Sequence, residues 1–174
     1  MKPACSFTFG GVCIKPGERA TVGLPMGRLY TNSTMTLPVQ VVHGCNSGPV
    51  LFVSAAVHGD ELNGVEIVRR IIEAKLNKPL KGTIICIPVL NVFGFLNLSR
   101  KFPDGRDLNR SFPGSKDGSL ASQFAYEFLT KIAPHIDYMI DFHTGGADRD
   151  NAPQIRCDGK NEKALLALFQ STSQ

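Results

Sequence analysis

The sequence has no tryptophan, only 8% aromatic residues and no cluster of lysine and arginine. Its 19 basic and 15 acidic side chains give a net charge of +4, and the basic ones are scattered along the chain. Nucleic-acid interfaces concentrate basic residues and interleave them with aromatic ones, so this composition argues against a nucleic-acid partner. The small positive net charge favours, at most, a small anionic molecule as the ligand.

The sequence also lacks an uncharged run of about 18 residues that could span a bilayer, and its start has no apolar segment of signal-peptide length. We therefore expect a cytosolic protein with no membrane partner; the sequence does not indicate an oligomeric state. The 5 cysteines are odd in number and contain no C-x-x-C pair, which argues against a disulfide framework and against a thiolate zinc site. Most of them are expected to be small buried residues, most clearly Cys86 within TIICIPVL.

With 174 residues, 43% of them hydrophobic and 20% charged, the chain is typical of one globular domain. The first 50 residues alternate short β-prone stretches with turn motifs. From residue 50 onward, strands alternate with helices: strands at 50–57, 83–90 and 138–143, and helices at about 64–76 and 119–133.

This order predicts an α/β fold with a mostly parallel, mixed β-sheet flanked by helices and an antiparallel β segment at the N-terminus. We expect residues 1–35 to pack on the same domain as residues 36–174.

Apolar spacing defines the two helices. The first has a stripe formed by Val65, Val68, Ile72 and Leu76, with a capping box predicted at Asn63 and Glu66 and an ion pair between Glu66 and Arg70. The second has Ser119 as its predicted N-cap and a stripe formed by Leu120, Phe124, Phe128 and Ile132, before Pro134.

Polar residues follow the first buried strand in the segment HGDELNG at 58–64, for which a metal site, a helix cap and a solvated turn are competing explanations. Ligands of parallel α/β sheets bind at the carboxyl ends of the strands. His58 lies at such an end, and His143, 85 residues later, closes the strand YMIDFH. Glu61 lies at a loop-to-helix junction that can turn its side chain toward His58.

Two histidines and one carboxylate are a common ligand set of catalytic zinc, because three protein ligands leave the fourth tetrahedral position for a water molecule. His58, Glu61 and His143 therefore form the candidate site for one zinc ion. Asp141, on the same strand face as His143, is expected to support the zinc ligands without binding the ion itself. His43 and His135 are expected to be surface residues without a metal role.

Residues 91–118 form a long connection with little periodicity, and they contain three arginines around a PDGRD turn. Connections of this length inside a compact domain are usually functional or disordered. The content of this one favours a function.

Three linked motifs make the chain recognisable: HGDELNG, then NVFGF with R-x-x-P-D-G-R-D-L-N-R-S-F-P-G, then DFHTGG. In this order and spacing they closely resemble the succinylglutamate desuccinylase and aspartoacylase family of zinc carboxypeptidase-like hydrolases, from about residue 35 onward.

The resemblance implies that His58, Glu61 and His143 bind zinc and that the substrate is a small anionic N-acyl amino acid. Asn109 and Arg110 match a pair that binds the substrate carboxylate, and Arg100 matches an arginine that polarises the scissile carbonyl. Arg106 and Asp107 are expected to shape the loop. Arg156 is either a substrate contact or a solvated surface residue.

The family also uses a glutamate general base on a later strand, well beyond the third zinc ligand. Only 31 residues follow His143 here, and their one glutamate, Glu162, falls too early, in a predicted helix. We therefore expect the N-terminal part of a larger hydrolase, with slow hydrolysis when alone. A zinc carboxypeptidase acting on peptides and an inactive zinc-binding or interaction module are the alternatives.

Overall fold

The computed structural model describes residues 1–29, 31–147, 149–152 and 154–156. A short antiparallel hairpin is formed by β1 (Phe7–Phe9) and β2 (Val12–Ile14). The main sheet contains five strands: β3 (Arg19–Arg28), β4 (Thr34–His43), β5 (Val50–Ala55), β6 (Thr83–Ile87) and β7 (Tyr138–Phe142). The helices are α1 (Asn63–Glu73), α2 (Val92–Leu96) and α3 (Leu120–Lys131), with 3₁₀ turns at Leu108–Arg110 and Ala133–His135.

The strand order of the sheet is β3-β4-β6-β5-β7. The strand β5 runs parallel to both of its neighbours, β6 and β7, whereas β4 is antiparallel to β3 and β6. The mixed sheet flanked by helices and the antiparallel N-terminal hairpin confirm the predicted fold class. The boundary between residues 1–35 and 36–174 stays a prediction.

Each face of the sheet is covered by a different helix. On one face, α3 and the hairpin enclose the larger core, whose biggest buried side chains include Phe9, Phe52, Phe124, Ile85 and Ile132. On the other face, α1 covers a smaller cluster centred on Val53, Val68 and Cys86. Burial raises the pKa of the Cys86 thiol to about 11, so this cysteine is an inert core residue, as predicted.

Helix α1 begins against the ends of two strands because its first turn contains a glycine. A Cβ on Gly64 would lie 2.6 Å from Cβ of Phe142 and 3.0 Å from Cβ of Ala55. Helix α1 is therefore held close to the carboxyl ends of β5 and β7, where the candidate ligands emerge.

The helix ends differ from the sequence-based expectation. The backbone at Leu62 forms the N-cap of α1 without a side-chain hydrogen bond, so the predicted capping box is wrong. This helix ends at Glu73, and Leu76 is exposed instead of continuing the apolar stripe. Ser119 does lie at the N-cap of α3, but its hydroxyl makes no capping bond. The Asp104 carboxylate accepts a hydrogen bond from Ala121 N at 2.9 Å in its place.

Two histidines predicted to lie on the surface pack against the N-terminal hairpin instead. His43 is only 6% exposed; its Nδ1 lies 2.8 Å from Thr83 Oγ1 and its Nε2 lies 2.8 Å from the carbonyl oxygen of Cys5. His135 is half-buried against the rings of Phe7 and Phe9. His43 thus links the N-terminal hairpin to β4, and His135 links it to the 3₁₀ turn after α3. The turn motif at His43 and the proline beside His135 do not reveal these contacts.

The cysteines also differ from expectation, because Cys5, Cys13 and Cys45 are exposed. Cys157 and the predicted helix around Glu162 lie outside the described residues. No helix in the described part of the chain is long and apolar enough to cross a membrane.

Candidate metal centre

The candidate ligands meet because β5 and β7 are neighbours and parallel. Their register pairs Ala55 with Phe142, so the chain segments that follow both strands leave the sheet at the same level. His58 and His143 then face each other with ring centroids 5.1 Å apart. The sequence placed both histidines at strand ends, and the strand pairing brings them together.

Glu61 lies between the two imidazoles. Its Oε1 is 2.8 Å from His58 Nδ1, and its Oε2 is 2.9 Å from His143 Nδ1. The backbone N–H of Thr144 donates to Oε2 at 3.0 Å, which fixes the carboxylate against the loop after β7. Glu61 and His58 are buried, whereas the side chain of His143 is 37% exposed, so the cluster opens to solvent on the His143 side.

The outer nitrogen of each imidazole faces a carboxylate. Nε2 of His58 lies 3.3 Å from Asp107 Oδ1, and Nε2 of His143 lies 2.7 Å from Asp141 Oδ2. The other oxygen of Asp141 accepts a hydrogen bond from Ser54 Oγ at 2.7 Å. A proton on Nε2 donated to such a carboxylate leaves the Nδ1 lone pair free for a cation.

The pKa of His143 is raised above its ordinary value. The hydrogen bond to Asp141 is the main cause, burial opposes it, and the charges of Asp141 and Glu61 add to the increase. This environment favours positive charge at the imidazole, whether it comes from a proton or from a metal ion.

The long connection after β6 supplies the remaining wall of the site. Arg100 Nε lies 3.0 Å from Asp107 Oδ2, and Arg100 Nη1 lies 3.4 Å from Glu61 Oε1. Asn109 Nδ2 lies 3.4 Å from His58 Nε2. Arg110 is 85% exposed, with its Nε 3.8 Å from Asp107 Oδ2.

Arg156, the fourth predicted substrate or catalytic residue outside the ligand set, is exposed. Of the predicted residues, the structure thus brings together the three ligands, Arg100, Asn109 and Asp141, and it places Arg110 at the rim.

Asp107 has a larger role in the geometry than the sequence suggested. Besides its contacts with His58 and Arg100, its Oδ1 accepts a hydrogen bond from Asn109 N at 2.9 Å and caps the 3₁₀ turn. Burial raises the pKa of Asp107, but the hydrogen bond and charge of Arg100, with the Asn109 N–H and His58, bring it below its ordinary value. The loop role was predicted; the contact with a ligand was missed, because it spans 49 residues.

Two glycines from separate motifs hold the ligand loop in place. A Cβ on Gly59 would overlap the backbone of Gly94 and Phe95 in α2, and Gly59 N donates to Ser99 O at 3.1 Å. Asn91, fully buried, caps α2 by accepting from Gly94 N at 2.8 Å. The motifs HGDELNG and NVFGF therefore pack backbone to backbone, directly beside His58.

The donor atoms fit a divalent zinc ion. One nitrogen or oxygen from each of His58, Glu61 and His143 lies within 4.8 Å of the other two. Tetrahedral nitrogen and oxygen ligands at about 2.0–2.2 Å from zinc are roughly 3.3–3.6 Å apart, which is on the same scale.

The charges of the cluster also suit a dication. Its hydrogen-bonded groups include one guanidinium, Arg100, and three carboxylates: Glu61, Asp107 and Asp141. The guanidinium of Arg110, 3.8 Å from Asp107, is 85% exposed, so solvent screens its charge. With neutral imidazoles, this leaves two negative charges for a divalent cation to balance.

Comparison with known proteins gives a consistent result. Residues 47–173 match the family model described as the succinylglutamate desuccinylase/aspartoacylase catalytic domain. The chain is 33% identical over 118 residues to an N-alpha-acetyl-L-2,4-diaminobutyric acid deacetylase from Halomonas elongata, a match that covers 67% of this chain and 34% of the deacetylase.

Two solved structures show the same architecture. The crystal structure of an aspartoacylase family protein from Mesorhizobium loti superposes with a TM-score of 0.75 at 28% identity, covering 98% of this chain and 54% of that protein. A metallo-carboxypeptidase from Pseudomonas aeruginosa shares the fold at 21% identity, with a TM-score of 0.52 over 64% of this chain and 32% of that protein.

The chain thus spans about a third of the deacetylase and about half of the M. loti protein. The family model covers most of the chain and includes all three candidate ligands. This protein belongs to the succinylglutamate desuccinylase/aspartoacylase family.

Proposed function

We propose that this chain carries the metal-binding part of a zinc-dependent hydrolase that cleaves the amide bond of an N-acyl amino acid or a similar small carboxylate. The observation that carries the proposal is the convergence of His58, Glu61 and His143 within 4.8 Å. The names of the family and of the H. elongata relative both refer to the removal of acyl groups from amino acids, which supports this substrate class.

His58, Glu61 and His143 would hold one zinc ion, which would supply Lewis-acid chemistry by polarising a carbonyl and activating water. The protein supplies the orientation. Thr144 N–H fixes the Glu61 carboxylate. Asp107 orients the imidazole of His58, and Asp141 orients that of His143. Access for a small substrate is from the partly exposed His143 side.

The arginines of the long connection bind the anionic parts of the substrate. Arg100 lies beside Glu61, where its guanidinium stabilises the oxyanion that develops on the attacked carbonyl. Arg110, at the exposed rim, and Asn109, beside His58, bind the substrate carboxylate. Arg156 is a further candidate for this contact.

A cytosolic location is part of the proposal. The four cysteines of the described residues, Cys5, Cys13, Cys45 and Cys86, are free thiols, which suits a reducing compartment.

Metal analysis tests the core of the proposal. The purified chain, loaded and dialysed, is expected to retain one equivalent of zinc. His143→Ala is expected to weaken zinc binding by more than about 100-fold, beyond the loss that outer partners of a ligand cause. His135→Ala is the matched control, because it removes an imidazole that packs on Phe7 and Phe9. Zinc binding that is absent, or equal in both variants, would refute the site.

A hydrolysis assay then separates the candidate functions. N-acetyl amino acids with free carboxylates are compared with peptides that have free C-termini, in the presence of zinc. Cleavage of the acetyl amide supports the deacylase, and release of a C-terminal residue supports the carboxypeptidase. Because we expect only slow hydrolysis from this chain alone, the binding module is supported only if zinc is stoichiometric and a chain extended past residue 174 also shows no turnover on either substrate.

A further inference from the structure

The two oxygens of Asp107 face two groups with different tasks. Oδ1 lies 3.3 Å from His58 Nε2, and Oδ2 lies 3.0 Å from Arg100 Nε. The side chain of Asp107 is only 10% exposed. One carboxylate therefore contacts both a candidate zinc ligand and the candidate oxyanion arginine.

Arg100 is shared between two carboxylates. While its Nε contacts Asp107, its Nη1 lies 3.4 Å from Glu61 Oε1, the oxygen that also contacts His58 Nδ1. A guanidinium that moved fully onto Glu61 would occupy a lone pair that a metal ion needs. Its positive charge would also repel the cation across a short and partly buried distance.

Arg100 lies closer to Asp107 than to Glu61, and other hydrogen bonds hold the Asp107 side chain in place. Its Oδ1 accepts from Asn109 N at 2.9 Å, and its backbone oxygen accepts from Ser111 Oγ at 2.9 Å. These bonds lock the carboxylate to the 3₁₀ turn at Leu108–Arg110. Arg100, with 44% of its side chain exposed, is the more exposed partner of the pair.

We propose that Asp107 is a positioning residue that keeps Arg100 from pairing fully with Glu61, so that one arginine can serve the substrate without competing with zinc for its ligand. This inference rests on the proposed zinc site. It gives Asp107 a second effect on zinc affinity, through Arg100, besides the orientation of His58.

The two effects separate in a double-mutant cycle. Zinc dissociation constants are measured by competition with a chromophoric chelator at one pH for the wild type, Asp107→Asn, Arg100→Gln and the double variant. Asp107→Asn keeps the shape of the side chain and an acceptor but removes the charge that attracts Arg100. We expect it to weaken zinc binding by about 10- to 100-fold.

The diagnostic result is rescue. If Arg100 competes for Glu61, Arg100→Gln added to Asp107→Asn restores about tenfold or more of the lost affinity, and Arg100→Gln alone binds zinc at least as tightly as the wild type. If Asp107 acts only through His58, the double variant stays as weak as Asp107→Asn, and the proposal is overturned.

Arg110→Gln is the matched control. Its guanidinium also neighbours Asp107, with Nε at 3.8 Å, but it is 85% exposed. Combined with Asp107→Asn, it should not restore affinity; an equal rescue would indicate a general charge effect and would overturn the proposal.

Thermal melts without zinc show whether each variant folds. If Asp107→Asn does not fold, the zinc affinity of Arg100→Gln alone tests the proposal. A tenfold loss of zinc affinity in that variant would contradict competition between Arg100 and zinc for Glu61. A wild-type chain that binds no zinc refutes the proposed function together with this inference. A zinc-binding wild type without rescue refutes only the inference.

Discussion

Replacing Gly59 with alanine tests how the ligand loop is held. The Cα of Gly59 faces the backbone of α2, and an alanine Cβ would lie well inside 3.0 Å of the carbonyl carbon of Gly94 and the amide nitrogen of Phe95. Both atoms belong to the backbone, so no side chain can rotate away. Either the HGDE loop or α2 must move, and His58 is the neighbouring residue in that loop.

The size of the effect follows from this geometry. Overpacking a tight contact costs typically about 1–3 kcal/mol, and a clash between two backbone segments falls at the upper end. For a domain of this length, about 3 kcal/mol corresponds to a fall of roughly 6–12 °C in the melting temperature. Because the displaced loop carries His58, we also expect zinc affinity to fall by more than about tenfold.

Gly105→Ala is the reference variant. Nothing lies within 4 Å of a Cβ built at Gly105, whose φ of +77° makes alanine unfavourable by about 1–2 kcal/mol through the backbone alone. Urea denaturation and chelator competition on both variants separate the two costs. Gly59→Ala should lose stability and zinc affinity, whereas Gly105→Ala should lose only stability. A Gly59→Ala variant that binds zinc like the wild type would refute the packing argument.

Two further substitutions test other contacts. Asp104→Ala removes the acceptor for Ala121 N and should cost about 0.5–2 kcal/mol in urea denaturation at pH 7, whereas the exposed Asp117→Ala should be neutral. Burial raises the pKa of Asp104, but the backbone N–H groups of Ala121 and Arg106 outweigh it and lower the folded-state value. The stabilisation is therefore present above the unfolded pKa of about 3.9 and is lost as the pH falls through the folded one; a stability difference that did not shrink as the pH was lowered below about 3.9 would contradict this cause. Asp141→Asn should weaken zinc binding by about 10- to 100-fold in chelator competition, and Ser54→Ala, which removes only the hydrogen bond behind Asp141, should weaken it less; the reverse order would refute the role of Asp141.

The fold class could be predicted because it depends on local periodicity. The apolar runs at β5, β6 and β7 and the stripe of α3 are visible in the sequence, and the strand–helix alternation limits the topology. The predicted helix ends were less accurate. The N-cap of α1 is Leu62, one residue before the predicted cap Asn63, and it makes no side-chain hydrogen bond. At α3, Asp104, 17 residues before Ala121, accepts the hydrogen bond expected of Ser119, and no local pattern reveals this acceptor.

The candidate ligands could be predicted for a related reason. Parallel strands bring residues at their carboxyl ends to one edge, so His58 and His143 were expected to be close whichever neighbouring strands carried them. The wall contributed by the long connection could not be derived in this way. Its position depends on the local cap of α2 by Asn91 and on the contact between Gly59 and Gly94, which is a packing event between separate segments.

These contacts explain why a set of motifs supports a prediction that a single one cannot. An H-x-x-E pair occurs by chance at many helix starts, where capping explains it equally well. Here the backbone N–H of Thr144 also holds Glu61 in place. His58 is held by Asp107 and by the next residue, Gly59, which packs against α2. Each motif thus supplies a contact that another motif requires. We therefore expect substitutions at non-ligand positions such as Gly59 and Asp107 to reduce metal affinity, because they remove the contacts that hold the ligands in place.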